Sequence, residues 1–544
     1  MKKAISRNRV KGFLDVQGRR IVNEDGEDVL LVGWGLGNWL LCEGYMWGAG
    51  DVPRFDRPRR IEAVIEELAG KAFAERFWKQ YRDSYITRED IRLMAEMGYN
   101  SLRVPINARL FLQEGPGIHF LEEGFQLLDR LIDWCEEYGL YVFIDLHAAP
   151  GGQTGANIDD SVDDVCRLFA DPDQFEKGLA LWERLAQRYA ERWIVGGYDL
   201  LNEPIRPTHS PQQTDQDMYL PRLEEFYTQC IARIRRHDQR HIVALEGHHW
   251  ASDTAIFTHV YDPKMVISFH RYACAPDMDA FKPFLEVSER LNVPLWLSET
   301  GENTMEWFSA MMPLALRLNI GISMWPWKKM DCVNSPCSIP VPEGWDQLIQ
   351  YARGGAHPAY ARAQKILTAF LNSMRLENCT INDHIRPNVF RIPGCTIAGT
   401  DFDALPGQGA SFLHLDVDYP AVPYRRCTGM QLYRRFPERR RRFTFDGEWA
   451  QYILRLSAGE FVTYSLYDVS IHTGLEIHCY SAEPSSIEVY QDEHWLGSFD
   501  LSATAHKQIL AGLHLVNADV CAVRVTVTRG VVDVESLTTD PEAV

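Results

Sequence analysis

Short apolar runs alternate along the chain with longer stretches in which apolar residues recur every three or four positions, from about Leu30 to Leu371. Continuous apolar runs are typical of strands buried on both faces, and the helical repeat is typical of the helices that cover them. The pattern predicts an α/β fold, a (β/α)8 TIM barrel. The eight predicted strands are Val29–Trp34, Asn100–Val104, Tyr141–His147, Tyr198–Glu203, Ile242–Glu246, Met265–His270, Pro294–Glu299 and Gly321–Trp325.

Two of the intervening helices have recognisable ends. The first carries its apolar residues from Leu121 to Cys135 on one face, and Gly139 follows where a helix stop is expected. The second begins with Asp171-Pro172, an N-cap residue followed by proline at the first helical position. The extra length of the barrel falls in loops such as Cys42–Tyr85.

Beyond Leu371 the helical repeat disappears, and short alternating segments are separated by Gly, Asp and Pro turns. Alternation of this kind predicts an antiparallel, all-β sandwich. The polar stretch Met374–Asn388 separates the two patterns, so we predict a barrel over residues 1–375 and a sandwich over residues 385–544. The clearest predicted strands of the sandwich are Tyr452–Leu456, Phe461–Tyr467, Leu475–Tyr480, Ile487–Tyr490 and Ala522–Thr528.

The formal net charge of −19 argues against a general partner among nucleic acids or anionic membranes, since both require a cationic face. The one basic run, residues 434–442, is expected to be a solvated loop or strand edge, with a local polyanion patch as the alternative. No apolar stretch of about 18 residues is present to span a bilayer, and the N-terminal residues lack the apolar segment of a secretory signal. We therefore expect a cytoplasmic protein.

The twelve cysteines have no zinc-ligand spacing, and most are expected to be reduced core residues. Cys332 and Cys337 are close enough in sequence to leave a disulfide as an alternative. Neither pattern predicts a metal or another cofactor.

Polar residues end or follow most of the predicted barrel strands. Because the carboxyl ends of parallel barrel strands converge on one face, these side chains are expected to meet in one pocket. A single glutamate at a strand end is commonly an ion-pair partner or a helix cap, but so many polar strand ends favour a functional site. The residues are Arg103, Asp145, His147, Asn202, Glu203, His270, Tyr272, Glu299 and Trp325.

Two carboxylates that face each other across a pocket divide acid and base work when their surroundings separate their pKa values. Cleavage of a glycosidic bond needs such a pair, one to protonate the leaving oxygen and one to stabilise or capture the sugar cation. Glu203 and Glu299 are the predicted pair, with Glu302 as the rival of Glu299. Arg103 is expected to help keep the nucleophile ionised, and Tyr272 to position it.

The pattern Leu201-Asn202-Glu203-Pro204, together with Ser298-Glu299, resembles glycoside hydrolase family five. The resemblance covers roughly Val29 to Leu371 and implies a retaining double displacement, with Glu203 as acid/base and Glu299 as nucleophile. The family's active-site set of eight has a candidate at each place, namely Arg103, His147, Asn202, Glu203, His270, Tyr272, Glu299 and Trp325.

Leu36–Glu43 is similar to the first-strand motif of the exo-acting β-glucosidase and exo-β-1,3-glucanase branch. This likeness implies that Glu43 binds the non-reducing-end sugar, with Trp39 as a support residue. Asp145–Gly155 is similar to the third loop of the same branch. Asn38 stands where that branch usually has glycine, and Pro326-Trp327-Lys328-Lys329 also departs from its pattern, so the identity of the sugar stays open.

The loop Glu246-Gly247-His248-His249-Trp250 follows the fifth predicted strand on the same face. Two histidines and a glutamate suggest a metal, but consecutive loop residues rarely converge on one ion and no third spaced ligand is visible. We therefore predict no metal site and expect a wall on the leaving-group side of the pocket, with Trp250 as a stacking platform.

Residues from about Asn388 to Thr539 resemble a family-six-type carbohydrate-binding module through Ile392-Pro393-Gly394, Ile397–Asp403 and Gly447–Tyr452. Ala398 and Thr400 occupy the places of two acidic residues that help to bind calcium in that family, so calcium is not expected. A structural sandwich is the alternative, and no sugar-binding residue is assigned.

These observations together predict a retaining β-glycosidase with a carbohydrate substrate, exo-acting on short β-glucosides or related oligosaccharides. The alternative within the same fold is an endo-β-glucanase or mannanase, which would have an open cleft. The alternative of another class is a non-catalytic carbohydrate-binding protein, which would tolerate the loss of either glutamate.

Overall fold

The computed structural model describes residues 9–208, 215–404, 412–413, 422–425, 428–436, 445 and 447–540. Contacts divide the chain into two compact units. The first comprises Met1–Arg271, Pro283–Gly301 and Leu316–Asn382, and the second comprises Tyr272–Lys282, Glu302–Ala315 and Asp383–Val544. The predicted domain bounds, 1–375 and 385–544, stay a prediction.

The first unit contains a closed barrel of parallel strands, which confirms the predicted fold class. Each strand pairs with its neighbour in the chain, and the last strand closes on the first. Nearly every strand residue is buried, as expected of a sheet that is covered on both faces. The strands are β1 Val32–Gly35, β2 Ser101–Asn107, β3 Tyr141–Ala148, β4 Val195–Asp199, β5 Ile242–Glu246, β6 Met265–Arg271, β7 Leu295–Gly301 and β8 Gly321–Trp325.

The helices of the chain fall between these strands and after the last one. Two of them confirm their predicted ends: Gly139 closes one with φ of +72°, and the Asp171 carboxylate caps another by accepting the Asp173 N–H at 2.9 Å. The helices of the described residues are Pro58–Ala69, Lys71–Ser84, Arg88–Glu96, Glu122–Tyr138, Arg167–Ala170, Pro172–Tyr189, Leu220–Ile234, Lys282–Leu291, Met305–Arg317, Trp345–Ala352, Tyr360–Ser373 and Ile385–Phe390. His248–Ala251 forms one further short turn with left-handed residues.

Two predicted strand ends differ from the structure. The fourth strand was predicted to run to Glu203, but β4 ends at Asp199. Glu203 has φ of +43°, outside the extended region that strand residues adopt. Arg103 was predicted at the end of the second strand, but β2 continues to Asn107, so Arg103 lies within it.

The segment Cys42–Tyr85 is an insertion built around Trp47, a fully buried side chain. The Trp47 ring lies 5.3 Å from the Tyr81 ring and 4.7 Å from the Phe370 ring. Phe370 belongs to the helix Tyr360–Ser373, so the insertion packs against this helix. The insertion also begins with Glu43, so its packing determines where that carboxylate lies.

The second unit contains two antiparallel sheets, as predicted for the C-terminal part of the chain. Burial alternates along its strands, for example over Ser485–Gln491, as in a two-layer β-structure with one face of each sheet buried. One sheet holds Thr396–Ala398, Gln431–Arg434, Tyr452–Ser457, Gly474–Ser481, Thr504–His514 and Val531–Thr539. The other holds Phe412–Leu413, Phe461–Val469, Ser485–Gln491, His494–Leu501 and Ala518–Arg529.

Short strands complete the description of the first unit. Asp15–Gln17 pairs with Arg20–Val22 ahead of the barrel. Lys328–Met330, Cys337–Ile339 and Thr380–Ile381 form a small sheet after β8.

The second unit also includes two chain segments that follow barrel strands. Arg391 donates from Nε to the Ser309 carbonyl at 2.6 Å, and the Arg425 N–H donates to the Asp277 carboxylate at 3.0 Å. Ser309 and Asp277 belong to Glu302–Ala315 and Tyr272–Lys282 respectively, so both segments are tied to residues of the C-terminal part.

Several smaller expectations concern the described residues. The eleven cysteines among them are free thiols, Cys332 and Cys337 included. Of the basic run, Arg434 ends a strand and Arg435 lies 3.1 Å from the Asp533 carboxylate, while its other arginines lie outside the described part. Every helix within that part is too short or too polar to cross a membrane.

Candidate active site

Arg103 lies at the centre of a buried charge network inside the barrel and is itself fully buried. Its Nη1 donates to Glu299 at 2.7 Å, its Nε to Asp199 at 2.9 Å, and its Nη2 to Glu246 at 2.9 Å. The Asp145 carboxylate lies 3.2 Å from Nη2. One guanidinium therefore faces four carboxylates, which is the charge compensation that buried acids require.

Glu203 and Glu299 face the same space. One carboxylate oxygen of each and one ring nitrogen of His270 all lie within 4.8 Å of one another. Both carboxylates are almost wholly buried, with 8% and 6% of Glu203 and Glu299 exposed. The two predicted glutamates and His270 are therefore brought together at one point of the barrel.

His270 connects this pair to Glu246. Its Nδ1 lies 2.8 Å from Glu203 Oε1 and its Nε2 lies 3.1 Å from Glu246 Oε1. Burial alone lowers the pKa of His270, but the charges of Glu246 and Glu299 raise it well above its usual value. The neighbouring carboxylates therefore favour the protonated, cationic form of the ring.

The buried carboxylates divide into two kinds. Burial raises the pKa of Glu246, but His270 and Arg103 outweigh burial and hold the value at about 2. Burial and the neighbouring Glu246 raise the pKa of Asp199 well above its usual value, against the attraction of Arg103. Glu246 is therefore an anion, and Asp199 tends to keep its proton.

Burial also raises the pKa of Glu299 above its ordinary value, although His270 and Arg103 lower it in part. The sequence predicted that Arg103 would favour the ionised form, and Arg103 acts in that direction. The dry surroundings of the carboxylate nevertheless have the larger effect.

Glu246 also supports the backbone that carries Glu203. Its Oε2 accepts the Glu203 N–H at 2.6 Å, and Glu203 has φ of +43°. A left-handed backbone at a non-glycine residue is costly and persists where neighbouring contacts fix it, often at functional sites. This hydrogen bond sets the direction in which the Glu203 side chain leaves the chain.

His147, Asn202 and Trp325 form a second connected group. His147 Nδ1 donates to the Asp145 carboxylate at 2.7 Å, which leaves Nε2 to accept from the Asn202 amide at 3.2 Å. The side-chain oxygen of Asn202, Oδ1, accepts from Arg103 at 2.9 Å, and the His147 ring is parallel to the Trp325 ring at 5.2 Å.

The first strand and its loop leave room for the Trp325 ring. A Cβ on Gly37 would come within 2.6 Å of that ring, so only glycine fits there. The indole N–H of Trp325 donates to the Tyr45 hydroxyl at 2.9 Å. The ring therefore has a fixed position, set partly by the insertion.

The insertion also supplies Glu43, which is 4% exposed. The Asn157 amide, in the loop after β3, donates to the Glu43 carboxylate at 3.4 Å. Trp39 is 1% exposed, and its indole N–H donates to the Arg82 carbonyl at 2.8 Å, so its polar edge is used within the insertion. The support role of Trp39 at the site stays a prediction.

Three further residues that the sequence singled out follow β5, β6 and β7. Tyr272 directly follows β6 and belongs to the second unit, where its ring lies 4.7 Å from the Phe445 ring. Its predicted effect on Glu299 stays a prediction. Glu302 follows β7 and also belongs to the second unit, whereas Glu299 lies within β7. Trp250 is half-buried in the turn after β5, and its stacking role stays a prediction.

Sequence reasoning did not assign a role to Asp199, Glu246 or Tyr45. Glu246 carries the same signal as the assigned residues, because it ends an apolar strand. Its contacts with Arg103, His270 and the Glu203 backbone depend on the three-dimensional arrangement. Tyr45 has no comparable sequence signal, since its partner Trp325 is 280 residues away.

Comparison with known proteins finds a family model that matches part of the chain. Residues 65–331 match the family model described as cellulase, glycosyl hydrolase family 5. The matched region contains Glu203 and Glu299 and every barrel strand after β1.

A β-xylosidase of Phanerodontia chrysosporium is 34% identical over 245 residues, which are 45% of this chain and 48% of that protein. Endoglucanase C of Acetivibrio thermocellus is 27% identical over 198 residues, which are 36% of this chain and 53% of that protein. The chain thus spans about half the length of these relatives. The crystal structure of an endoglucanase from Thermotoga maritima has a TM-score of 0.38 and 17% identity, and covers 50% of this chain and 91% of its own.

Proposed function

We propose that this chain, whose residues 65–331 carry a glycosyl hydrolase family 5 domain, is a retaining β-glycoside hydrolase that releases single sugars from short β-glycosides. The observation that carries the proposal is the pair Glu203 and Glu299, whose carboxylate oxygens approach within 4.8 Å. Retaining enzymes hold their carboxylates roughly 5–5.5 Å apart, and inverting enzymes need roughly 6.5 Å or more to admit a water.

The first step of the reaction breaks the bond between the sugar and its leaving oxygen. Glu203, in its protonated form, gives a proton to that oxygen while the Glu299 carboxylate attacks the anomeric carbon. The products are the free alcohol and an α-linked glycosyl ester on Glu299. In the second step Glu203 takes a proton from water, and the resulting attack releases the sugar with β configuration and restores Glu299.

The surrounding charges suit these steps. Arg103 and His270 supply positive charge beside Glu299 and Glu203, and Glu246 is the anion that holds both cations in place. His147 and Asn202 are oriented by Asp145 and Arg103 before any substrate arrives. Preorganised polar groups of this kind stabilise a transition state without rearranging during the reaction.

Exo action is supported by the way Glu43 is held. Its carboxylate meets the loop after β3 through Asn157, and the insertion that carries Glu43 is tied to the same loop by Arg57 and Arg59. In this proposal the insertion and the loop after β3 together close one end of the space above the barrel strands. An endo-acting enzyme, as in the name of one relative, is the second candidate and requires an open groove.

The C-terminal unit receives no separate role in this proposal. Its resemblance to a family-six carbohydrate-binding module stays a prediction, because the matched family model ends at residue 331. We assign no sugar-binding residue within it.

Replacement of Glu299 by glycine tests the assignment of the nucleophile. We expect Glu299→Gly to abolish turnover of nitrophenyl β-glycosides and added azide to restore it, with an α-glycosyl azide as product, because azide enters from the face that the carboxylate occupied. Glu203→Gly should lose about 10²–10⁴-fold in rate and form the β-azide.

Product analysis decides between the alternatives. An α-azide from the Glu203 variant would reverse the two roles, and full activity of either variant would contradict the proposal. Reducing-end-labelled oligosaccharides that lose one sugar at a time from the other end support exo action, whereas internal cleavage favours the endo candidate.

A further inference from the structure

A second group of metal-binding side chains lies at the turn after β5. Asp217, His248 and His249 each offer one ligand atom, and these three atoms lie within 4.8 Å of one another. His249 Nε2 is 2.7 Å from Asp217 Oδ1. His248 is 3% exposed, the His249 side chain is 28% exposed, and the Asp217 side chain is 46% exposed. None of the three takes part in the charge network around Arg103.

The backbone explains how two consecutive histidines converge. Neighbouring residues normally point apart, which is why the sequence predicted no metal site here. His249, Trp250 and Ala251 have φ of +53°, +59° and +53°, three left-handed residues in a row without a glycine. This turn brings the two imidazole rings to a centroid distance of 4.1 Å. The third ligand, Asp217, comes from a separate loop, 31 positions before His248 in the sequence.

The left-handed backbone of this turn is costly, and a contact with the segment after β4, which also carries Glu203, holds it in place. The His249 N–H donates to the Ile205 carbonyl at 2.7 Å, and Ile205, two residues after Glu203, itself has φ of +58°. Backbone strain of this kind is kept where it serves a function. Here it presents both imidazoles to one point.

A second observation indicates a missing ligand. The buried His248 Nδ1 has no hydrogen-bond partner among the residues that the structure describes. The Asp253 carboxylate oxygen is 3.6 Å from it, too far for a hydrogen bond. A buried ring nitrogen without a partner is unusual in a folded protein.

We propose that Asp217, His248 and His249 bind a divalent transition-metal ion of the zinc type. Two imidazoles and one carboxylate are a zinc ligand set, with the fourth position available to water. Nitrogen ligands disfavour Mg²⁺ and Ca²⁺, which prefer oxygen. The ion joins the turn after β5 to the loop before helix Leu220–Ile234, beside the backbone that carries Glu203.

Zinc titration of the full-length protein, stripped with a chelator and competed against a chromogenic indicator, tests the proposal. We expect one equivalent of Zn²⁺ to bind, and binding to weaken by at least about tenfold in Asp217→Asn and His249→Asn. Asparagine is chosen at 249 because it tolerates a left-handed backbone. His259→Asn, a nearby exposed histidine outside the group, is the matched control and should bind as the parent does.

Three additional measurements locate the ion. Glu299→Gln should retain this binding, which separates the site from the group formed by Glu203, His270 and Glu299. The Co²⁺-substituted protein should show nitrogen and oxygen ligation without thiolate charge-transfer bands. Zinc should also raise the melting temperature of the parent and not of the two site variants.

Three results would overturn the proposal. They are the absence of stoichiometric zinc binding by the parent, equal affinity in the parent and the His249→Asn variant, and loss of binding in Glu299→Gln with retention in His249→Asn. Circular dichroism of each variant shows whether it is folded, and for an unfolded variant the zinc-dependent melting shift and the Co²⁺ spectrum of the parent decide.

Discussion

At the scale of single residues, Asp199 and Glu246 are two acids that share one arginine and differ in charge. Both accept a hydrogen bond from Arg103 at 2.9 Å, and both are fully buried. Glu246 has His270 as a second cation, which holds its pKa at about 2. Asp199 has no such second cation among its described contacts, so burial dominates and raises its pKa.

The matched substitutions Asp199→Asn and Glu246→Gln are expected to have different effects on the free energy of unfolding. Asparagine imitates the protonated form of Asp199, so stability at pH 7 should stay within about 0.5 kcal/mol or increase. Glutamine removes the anion between Arg103 and His270, and stability should fall by about 3–5 kcal/mol. Denaturant unfolding of both variants measures the difference.

The pH dependence of the Glu246→Gln penalty follows from its depressed pKa. The ordinary value is 4.5 and the folded value is about 2, so the carboxylate stabilises the fold above about pH 4.5 and loses this effect between these values. The penalty should therefore shrink as the pH falls through this window. An equal penalty for both variants at pH 7 would contradict the assigned charges.

The candidate site was predictable to the extent that it consists of polar residues at the ends of apolar strands. Glu203, Glu299, His147 and His270 carry that signal, and the structure brings them together. The sequence did not indicate how deeply each of these side chains is buried in the barrel. Arg103 was expected at a strand end but lies inside β2, and burial outweighs its attraction in setting the pKa of Glu299.

At the scale of elements, Asp160 is the main link between the insertion and the loop after β3. Its carboxylate accepts the Arg59 N–H at 2.9 Å and the Asn107 amide at 2.9 Å, and it also bonds to Arg109. The Asp160 side chain is 2% exposed, so water cannot take the place of the carboxylate as acceptor for these donors. The same loop carries Asn157, the partner of Glu43.

Asp160→Asn is expected to loosen this link. The NH2 group of asparagine takes the place of one carboxylate oxygen, and it cannot accept a hydrogen bond from the donors that this oxygen faced. Stability should fall by about 1.5–3 kcal/mol, the usual value of a hydrogen bond to a charged group. The KM for an aryl β-glycoside should rise by up to about tenfold, equivalent to about 1.4 kcal/mol, with a smaller change in kcat.

Asp163→Asn in the same loop is the control for this substitution. Asp163 pairs with Arg167 at the surface and is 37% exposed, so its loss should change stability by no more than about 0.5 kcal/mol. If both variants behave alike, Asp160 does not hold the insertion in place.

Helices and strands were easier to predict than the turns that set the direction of the chain between them. The strand Ile242–Glu246 and the helix stop at Gly139 follow from local pattern alone. The turn at Asn38, with φ of +68°, depends on contacts that are distant in sequence, since its side chain accepts from Trp47 at 2.6 Å and donates to Tyr85 at 3.2 Å. These two hydrogen bonds hold Asn38 in a left-handed conformation, at a position where the branch that Leu36–Glu43 resembles usually has glycine.

At the scale of the whole molecule, removal of residues 383–544 is expected to damage the remaining chain. The second unit holds Asp277 and Ser309 through Arg425 and Arg391, and the shortened chain loses both arginines. Buried polar groups left without partners are strongly destabilising. A chain of residues 1–382 should therefore be less soluble than the full chain and less active on a soluble aryl β-glycoside.

The comparison uses the full chain and a full-length Trp495→Ala variant as controls. Trp495 is 54% exposed on the edge of one sheet, and its loss should leave activity on the small substrate unchanged. A shortened chain that is soluble and fully active on the aryl glycoside would make the C-terminal part an independent module.

Local patterns change once along the chain, which is why the sequence predicted two consecutive domains, and their bounds stay a prediction. The units found in the structure are interleaved, since Tyr272–Lys282 and Glu302–Ala315 belong with the C-terminal sheets. Local alternation of apolar residues carries no information about such long-range partners, of which the bond between Arg391 and Ser309 spans 82 positions.

This interleaving has a consequence for synthesis on the ribosome, where a chain folds from its N-terminus onward. The two early segments of the second unit emerge before the sheets that complete it, and the residues from 383 to 544 need roughly 8–30 s at typical elongation rates. During that interval Asp277 and Ser309 are without their final partners. The nascent chain therefore passes through a state in which two segments that follow barrel strands lack their partners until residues 383–544 are translated.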